Sequence, residues 1–174
     1  VLVRAAGLDD AEAIRAIYNL EVETSTATFD LVPRTLGEQQ AWIAARSGAH
    51  ATLVAVVDGA IIGFSALSPY KDRPAYRTTV EDSVYVRRDH HGQGIGRVLL
   101  GAALETARAK GFHSVMARVE ASRTPSIRLH ESCGFRLVGI ERQVGRKFNR
   151  WLDVALLQCL LEEVPVLPSA PPGS

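Results

Sequence analysis

Apolar residues recur at two rhythms, every second position and every third or fourth. Their alternation sets out a series of strands and helices. Residues 1–5 form a short β-like run. Asp9 offers an N-cap with Glu12 three residues on, and Ala13, Ile14, Ile17 and Tyr18 follow at helical spacing, so a first helix is predicted over about 10–22. The Thr- and Ser-rich stretch 23–33 reads as a loop. A second helix over 36–46 begins after Thr35 and ends near Gly48. Strands at 52–57 and 61–67 are joined by Asp58-Gly59, a hairpin signal. A charged, proline-punctuated loop (69–77) leads into a third strand of this run, 78–86. A helix over 94–110 closes at Gly111, and a strand follows at 114–119. Thr124 then reads as an N-cap with Pro125 at the first helical position, and this helix runs to Cys133 before Gly134. Two last strands, 135–144 and 151–160, flank a basic loop. From Pro165 the chain is proline-rich and expected to be disordered, which gives one domain over 1–163 and a tail over 164–174.

Composition narrows the function classes. A chain of 174 residues with 47% hydrophobic side chains suits a single domain with a real core. Twenty basic and 19 acidic residues leave a net charge of +1, which gives no electrostatic reason for a nucleic-acid partner. Cys133 and Cys159 form no CxxC pair and read as reduced thiols of a cytoplasmic protein. No apolar run reaches membrane-spanning length, so no membrane association is expected. His90 and His91 are adjacent and lack the i,i+4 spacing of a helical zinc pair, and no metal is expected.

The chemistry concentrates between residues 84 and 100. A β-branched strand runs into Arg87-Arg88-Asp89-His90-His91-Gly92-Gln93-Gly94-Ile95-Gly96-Arg97 and then an apolar helix. Glycines let the backbone turn tightly and expose its N–H groups, and a helix N-terminus attracts anions, so a pyrophosphate is the natural guest. The Rossmann spacing fails at Arg97, and no lysine follows the glycines as a P-loop requires.

The loop resembles the acyl-CoA loop of the GNAT superfamily of N-acetyltransferases, with His91 at the position usually held by Gln or Arg. The order β-αα-βββ-α-β-α-ββ is also that of the superfamily. The resemblance implies an α/β fold whose mixed central sheet, helices on both faces, splays apart to admit acetyl-CoA as co-substrate. Cofactor contacts are then expected from the strand at Val84 and Val86 and from the flanking Arg87. The loop itself would contribute His91, Gly92, Gln93, Gly94, Ile95, Gly96 and Arg97, and the later helix Ser126. Arg123 stands where relatives often carry Asn.

Further segments resemble the phosphinothricin and methionine sulfoximine acetyltransferase branch. They are Glu23-Thr24-Ser25-Thr26-Ala27-Thr28-Phe29, Tyr70-Lys71-Asp72-Arg73-Pro74-Ala75-Tyr76, Glu81-Asp82-Ser83-Val84-Tyr85-Val86, the stretch 126–135, and Lys147-Phe148-Asn149-Arg150-Trp151. This resemblance implies acetylation of the α-amine of a small amino acid such as phosphinothricin, methionine sulfoximine or methionine sulfone. Only a neutral amine attacks a thioester readily, so a base is needed. Glu81, alternating with Ser83 and Tyr85 on one strand face, is the candidate. His130 stands where many superfamily members place an acid for the CoA sulfur. Arg73 and Lys71 are candidates for the substrate carboxylate, with hydrogen bonds from Tyr76 and Thr79 and an apolar wall from Phe29. The resemblance also implies direct transfer in a ternary complex and a homodimer. The alternatives are acetylation of protein N-termini or polyamines, and a non-catalytic CoA-binding sensor.

Overall fold

The computed structural model describes residues 1–46 and 48–162; the expected tail over 164–174 lies outside them. Seven strands form one sheet in the order β1-β2-β3-β4-β5-β7-β6. They are β1 (Leu2–Ala5), β2 (Thr52–Val57), β3 (Ala60–Pro69), β4 (Thr79–Val86), β5 (Ser114–Glu120), β6 (Arg136–Lys147) and β7 (Arg150–Leu160). Among the described residues the four α-helices are α1 (Ala11–Thr24), α2 (Leu36–Ala44), α3 (Ile95–Ala109) and α4 (Thr124–Ser132). The expected element order and mixed sheet are both present.

Two cores sandwich the sheet. On one face Ile14, Ile17, Tyr18 and Val22 of α1 and Ile43 of α2 pack on Val54 and Phe64. On the other, Leu100, Ala103, Leu104 and Ala107 of α3 meet Leu67, Val80, Val115 and Leu157. Tyr85 stacks on Phe64 on the α1 side, and Val84 packs on the α3 side. Alternation along β4 therefore puts Glu81, Ser83 and Tyr85 on the α1/α2 face and Val80, Asp82 and Val84 on the other.

Every neighbouring pair is antiparallel except β4 and β5, which run parallel and pair only from Thr79 to Glu81 against Ser114 to Met116. Beyond that point β4 continues on β3 as far as Val86, and β5 continues on β7 as far as Glu120. The two central strands part, and one edge of each is left without a ladder partner.

Local differences from the sequence reading have physical causes. Asp10, not Asp9, precedes α1. Its carboxylate accepts from the Gly7 amide at 2.8 Å and is gripped by Arg4 of β1 at 2.7 and 2.9 Å, so residues 8–10 form a 3-10 turn. Thr124 begins α4 itself, and the N-cap position falls to Arg123. The expected basic loop before β7 is mostly strand. β6 runs on to Lys147, and the turn is Phe148-Asn149, both at positive φ (48° and 58°).

Candidate active site

Where β4 and β5 part, a cleft of about 1000 Å³ opens. Its walls are the edge of β4 over residues 81–86, unpaired from Asp82 onward, the end of β5, the glycine loop with the first turn of α3, the start of α4, and the loop after α1. Gly92 and Gly94 take φ of +75° and +79°, a region costly for any residue with a Cβ. Gly94 caps α3, whose first amides therefore face this end of the cleft without intrahelical partners. Gly96 serves packing instead: a Cβ there would lie 3.0 Å from Leu129 Cδ2, which would have to give way, so its absence lets α3 and α4 approach closely. His91 Nε2 donates to the Val86 carbonyl at 2.8 Å and folds the loop back onto β4. Free helix-start amides, Arg97 and an unpaired strand edge make a cradle suited to a pyrophosphate followed by an amide-bearing arm.

Glu81 ends the paired part of β4 and is partly buried at the inner end of the cleft. Burial pushes its carboxyl above the ordinary value; Arg118 on β5 pulls the other way, and Asp82 adds to the rise. A carboxylate tuned toward neutrality is a better proton acceptor than an exposed one.

Asp82, the first β4 residue past the pairing, turns the other way. Its Oδ2 lies 3.0 Å from His130 Nε2, while His130 Nδ1 donates to the Ser126 carbonyl at 2.7 Å. Both side chains are buried, and His130 stands edge-on to Phe135 at 5.0 Å. Burial opposes the imidazolium, but the Asp82 carboxylate and the Ser126 carbonyl prevail and raise its pKa. The pair fastens α4 across the opened edge of β4.

The profile of the Acetyltransferase (GNAT) family matches residues 14–135. Over 162 residues the chain is 40% identical to an L-methionine sulfoximine/L-methionine sulfone acetyltransferase of Pseudomonas paraeruginosa, covering 92% of this chain and 94% of that one. This chain is a GNAT acetyltransferase. A phosphinothricin acetyltransferase from Sinorhizobium meliloti, solved with acetyl-CoA, superposes with a TM-score of 0.90 at 32% identity over 98% of this chain and 93% of that chain. A ribosomal-protein-alanine N-acetyltransferase from Brucella melitensis also reaches 0.90, at 37% identity over 92% and 99%.

Of the residues expected to hold acetyl-CoA, Val84, Val86, His91, Gly92, Gly94, Ile95, Gly96, Arg97 and Ser126 line the cleft of this acetyltransferase. Arg87 and Gln93 do not. Arg87 pairs with Asp89 at 2.6 Å, and Gln93 donates to the Asp89 carbonyl, so both shape the loop. The Val86 carbonyl is already taken by His91. Both His130 nitrogens are engaged within the protein, so donation to a sulfur requires one of these bonds to open. Among the expected substrate contacts, Phe29 lines the cleft, whereas Lys71, Arg73, Tyr76 and Thr79 lie outside its walls. Lys71 stands over the rings of Tyr70 and Tyr76, at 4.9 and 5.1 Å.

The groups that hold the loop after α1 in the acetyltransferase cleft leave no spacing signal in the sequence. Thr26 donates to Glu120 at the end of β5 (3.2 Å), and Glu120 also accepts from Ser122. Lys147 Nζ, buried beneath the loop, donates to the Thr28 carbonyl at 2.9 Å, and burial lowers its pKa. Tyr18, its phenol pushed up to about 12 by burial, donates to Asp30 at 2.6 Å. Phe29 lies over Gly145, where a Cβ would fall 2.3 Å from its ring. These hydrogen bonds of Thr26, Thr28 and Asp30 span 12 to 119 positions of sequence, and the one visible signal is the polar Thr/Ser run itself.

Proposed function

We propose that the chain acetylates the α-amine of a small amino acid of the methionine sulfoximine, methionine sulfone or phosphinothricin type, drawing the acetyl group from acetyl-CoA by direct transfer. The observation that carries this reading is Glu81. It is a half-buried carboxylate with a raised pKa, placed where the two strands part and beside the unpaired β4 edge. The glycine loop and the start of α3 would hold the pyrophosphate, and the open edge of β4 the pantetheine arm. Bound there, acetyl-CoA supplies an activated acyl carbon.

Glu81 takes a proton from the substrate ammonium, directly or through one water. The neutral nitrogen then forms the C–N bond as the C–S bond breaks; the electron pair leaves on sulfur, and the second proton shed by the nitrogen passes through water to that thiolate, which departs as the CoA thiol. Phe29, braced on Gly145, walls the acceptor side. His130 acts as a positioning residue through Asp82, the neighbour of the base. Cys133 is buried with its thiol pKa raised by that burial, so it is no acyl-carrying nucleophile.

The working unit is proposed to be a cytoplasmic homodimer. Among the described residues no helix is long and apolar enough to cross a membrane. The edge strand β6 and its neighbour β7 expose Val138, Ile140, Val144 and Trp151, an apolar face suited to a second copy.

The test is thiol release from acetyl-CoA with phosphinothricin, methionine sulfoximine and methionine sulfone, against an Ala-terminated peptide and spermidine. Selective turnover of the amino acids is expected. Preference for the peptide or the polyamine would overturn the substrate assignment, and no turnover with any amine would favour a CoA-binding sensor.

A further inference from the structure

The two strands that part to open the cleft are tied back together by the end of α1. On the β4 side, Arg88 stands in the turn that leads from Val86 into the glycine loop. Its Nε donates to Glu21 Oε1 of α1 at 2.9 Å, and a terminal nitrogen donates to the Thr24 hydroxyl at 2.6 Å. On the β5 side, Thr26 donates to Glu120 at 3.2 Å. The segment from Glu21 to Thr26 therefore has one anchor on each bank of the cleft, 67 and 94 residues away in sequence.

Glu21 is the junction of this strap. Its side chain is only 10% exposed and lines the cleft, whereas Arg88 lies outside the cleft walls. Burial opposes the carboxylate charge, yet Arg88, the Ser25 hydroxyl and the more distant Arg123 guanidinium hold its pKa below the ordinary value. Glu21 Oε2 accepts from the Ser25 hydroxyl, and the Ser25 oxygen in turn accepts from the Ala27 amide at 3.1 Å. Three consecutive contacts thus run from Arg88 to the backbone of the loop that carries Phe29, the acceptor wall. In the other direction the Arg88 carbonyl accepts from the His91 amide at 3.2 Å, and Gly92 follows directly. One arginine stands between the surface suited to the pyrophosphate and the surface suited to the acceptor.

Resting on the function proposed above, we propose that Arg88 is a positioning residue that couples the two substrates. A CoA pyrophosphate on the glycine loop fixes the turn that holds Arg88, and Arg88, through Glu21 and Ser25, sets the loop that receives the amino acid. The pantetheine arm would lie between the two banks and set their spacing, and a loop anchored on both banks follows that spacing. The Glu21 end of the pair is shielded from water, so salt and solvent screen it less than an exposed pair. Coupling of this kind is reciprocal: the amino acid tightens CoA by the factor by which CoA tightens the amino acid.

The experiment measures by calorimetry the dissociation constant of methionine sulfone on the full chain, alone and saturated with CoA, whose free thiol cannot acetylate it. Wild type should bind the amino acid about fivefold or more tightly when CoA is present. In Arg88→Met the two constants should agree within about twofold, while the dissociation constant of CoA alone stays within about twofold of wild type. Arg88→Lys keeps the charge without the fork that reaches Thr24 and should recover part of the coupling. Should Arg88→Met fail to fold because Glu21 loses its cation, Arg88→Met/Glu21→Gln removes both charges and carries the same comparison. No effect of CoA in wild type, or an undiminished effect in Arg88→Met even with a lowered Tm, would overturn the proposal. A wild type that neither binds nor acetylates any amino acid would sink the parent reading, and this one with it.

Discussion

Replacing Asp82 by Asn tests whether the buried pair holds the site together. The substitution keeps the shape and removes the negative charge facing His130 Nε2 at 3.0 Å. Neither side chain has appreciable contact with water, at 5% and 0% exposure, so solvent cannot compensate. Breaking one side of such a pair costs about 3–5 kcal/mol. In a chain of this size each kcal/mol moves Tm by about 2–4 °C, so a drop of roughly 6–20 °C is expected. The pH dependence has a definite sign. The His130 pKa is raised in the fold, so its contribution to stability is fully present below the unfolded value of about 6.5 and is lost as pH rises through the folded value. The gap between wild type and Asp82→Asn should therefore be widest in mild acid and narrow toward alkaline pH. Thermal melts followed by circular dichroism across that range read it directly. A shift under about 1 kcal/mol, or a gap that widens with pH, would refute the ion-pair assignment.

Two more substitutions address the acceptor side. Gly145→Ala puts a methyl 2.3 Å from the Phe29 ring, which must swing away. Amino-acid kcat/KM should fall roughly 10–100-fold while acetyl-CoA binding, followed by calorimetry, is retained. Lys147→Met keeps the buried stem but leaves the Thr28 carbonyl without its donor. Urea melts should show a loss of about 1–3 kcal/mol, and steady-state kinetics a larger rise in KM for the amino acid than for acetyl-CoA.

Much of the frame was legible because its signals are local. Asp58-Gly59 has to turn a hairpin, and both residues take positive φ (48° and 80°). Thr35 and Glu38 cap each other as their spacing requires. Alternation along β4 placed Glu81 with Ser83 and Tyr85, and the glycine loop marked one wall of the cleft. Contacts between distant residues were not legible in this way. Nothing near Asp9 and Asp10 tells which one Arg4 will reach, and a phenylalanine at left-handed φ in the β6–β7 turn runs against local preference. The Asp82–His130 pair spans 48 residues, and the stacking of Arg34 and Arg46 on Trp42 exists only in the folded chain.

The proposed reaction depends on Glu81 accepting the proton of the attacking amine, and its most direct test is the pH–rate profile of Glu81→Gln on methionine sulfone with saturating acetyl-CoA. Wild type should lose activity toward acid through a pKa above the ordinary carboxylate value, as protonation removes the base. The variant should bind acetyl-CoA normally, turn over about 10²–10⁴-fold more slowly, and lack that acid limb. Turnover within about twofold of wild type, with the acid limb unchanged, would contradict the assignment.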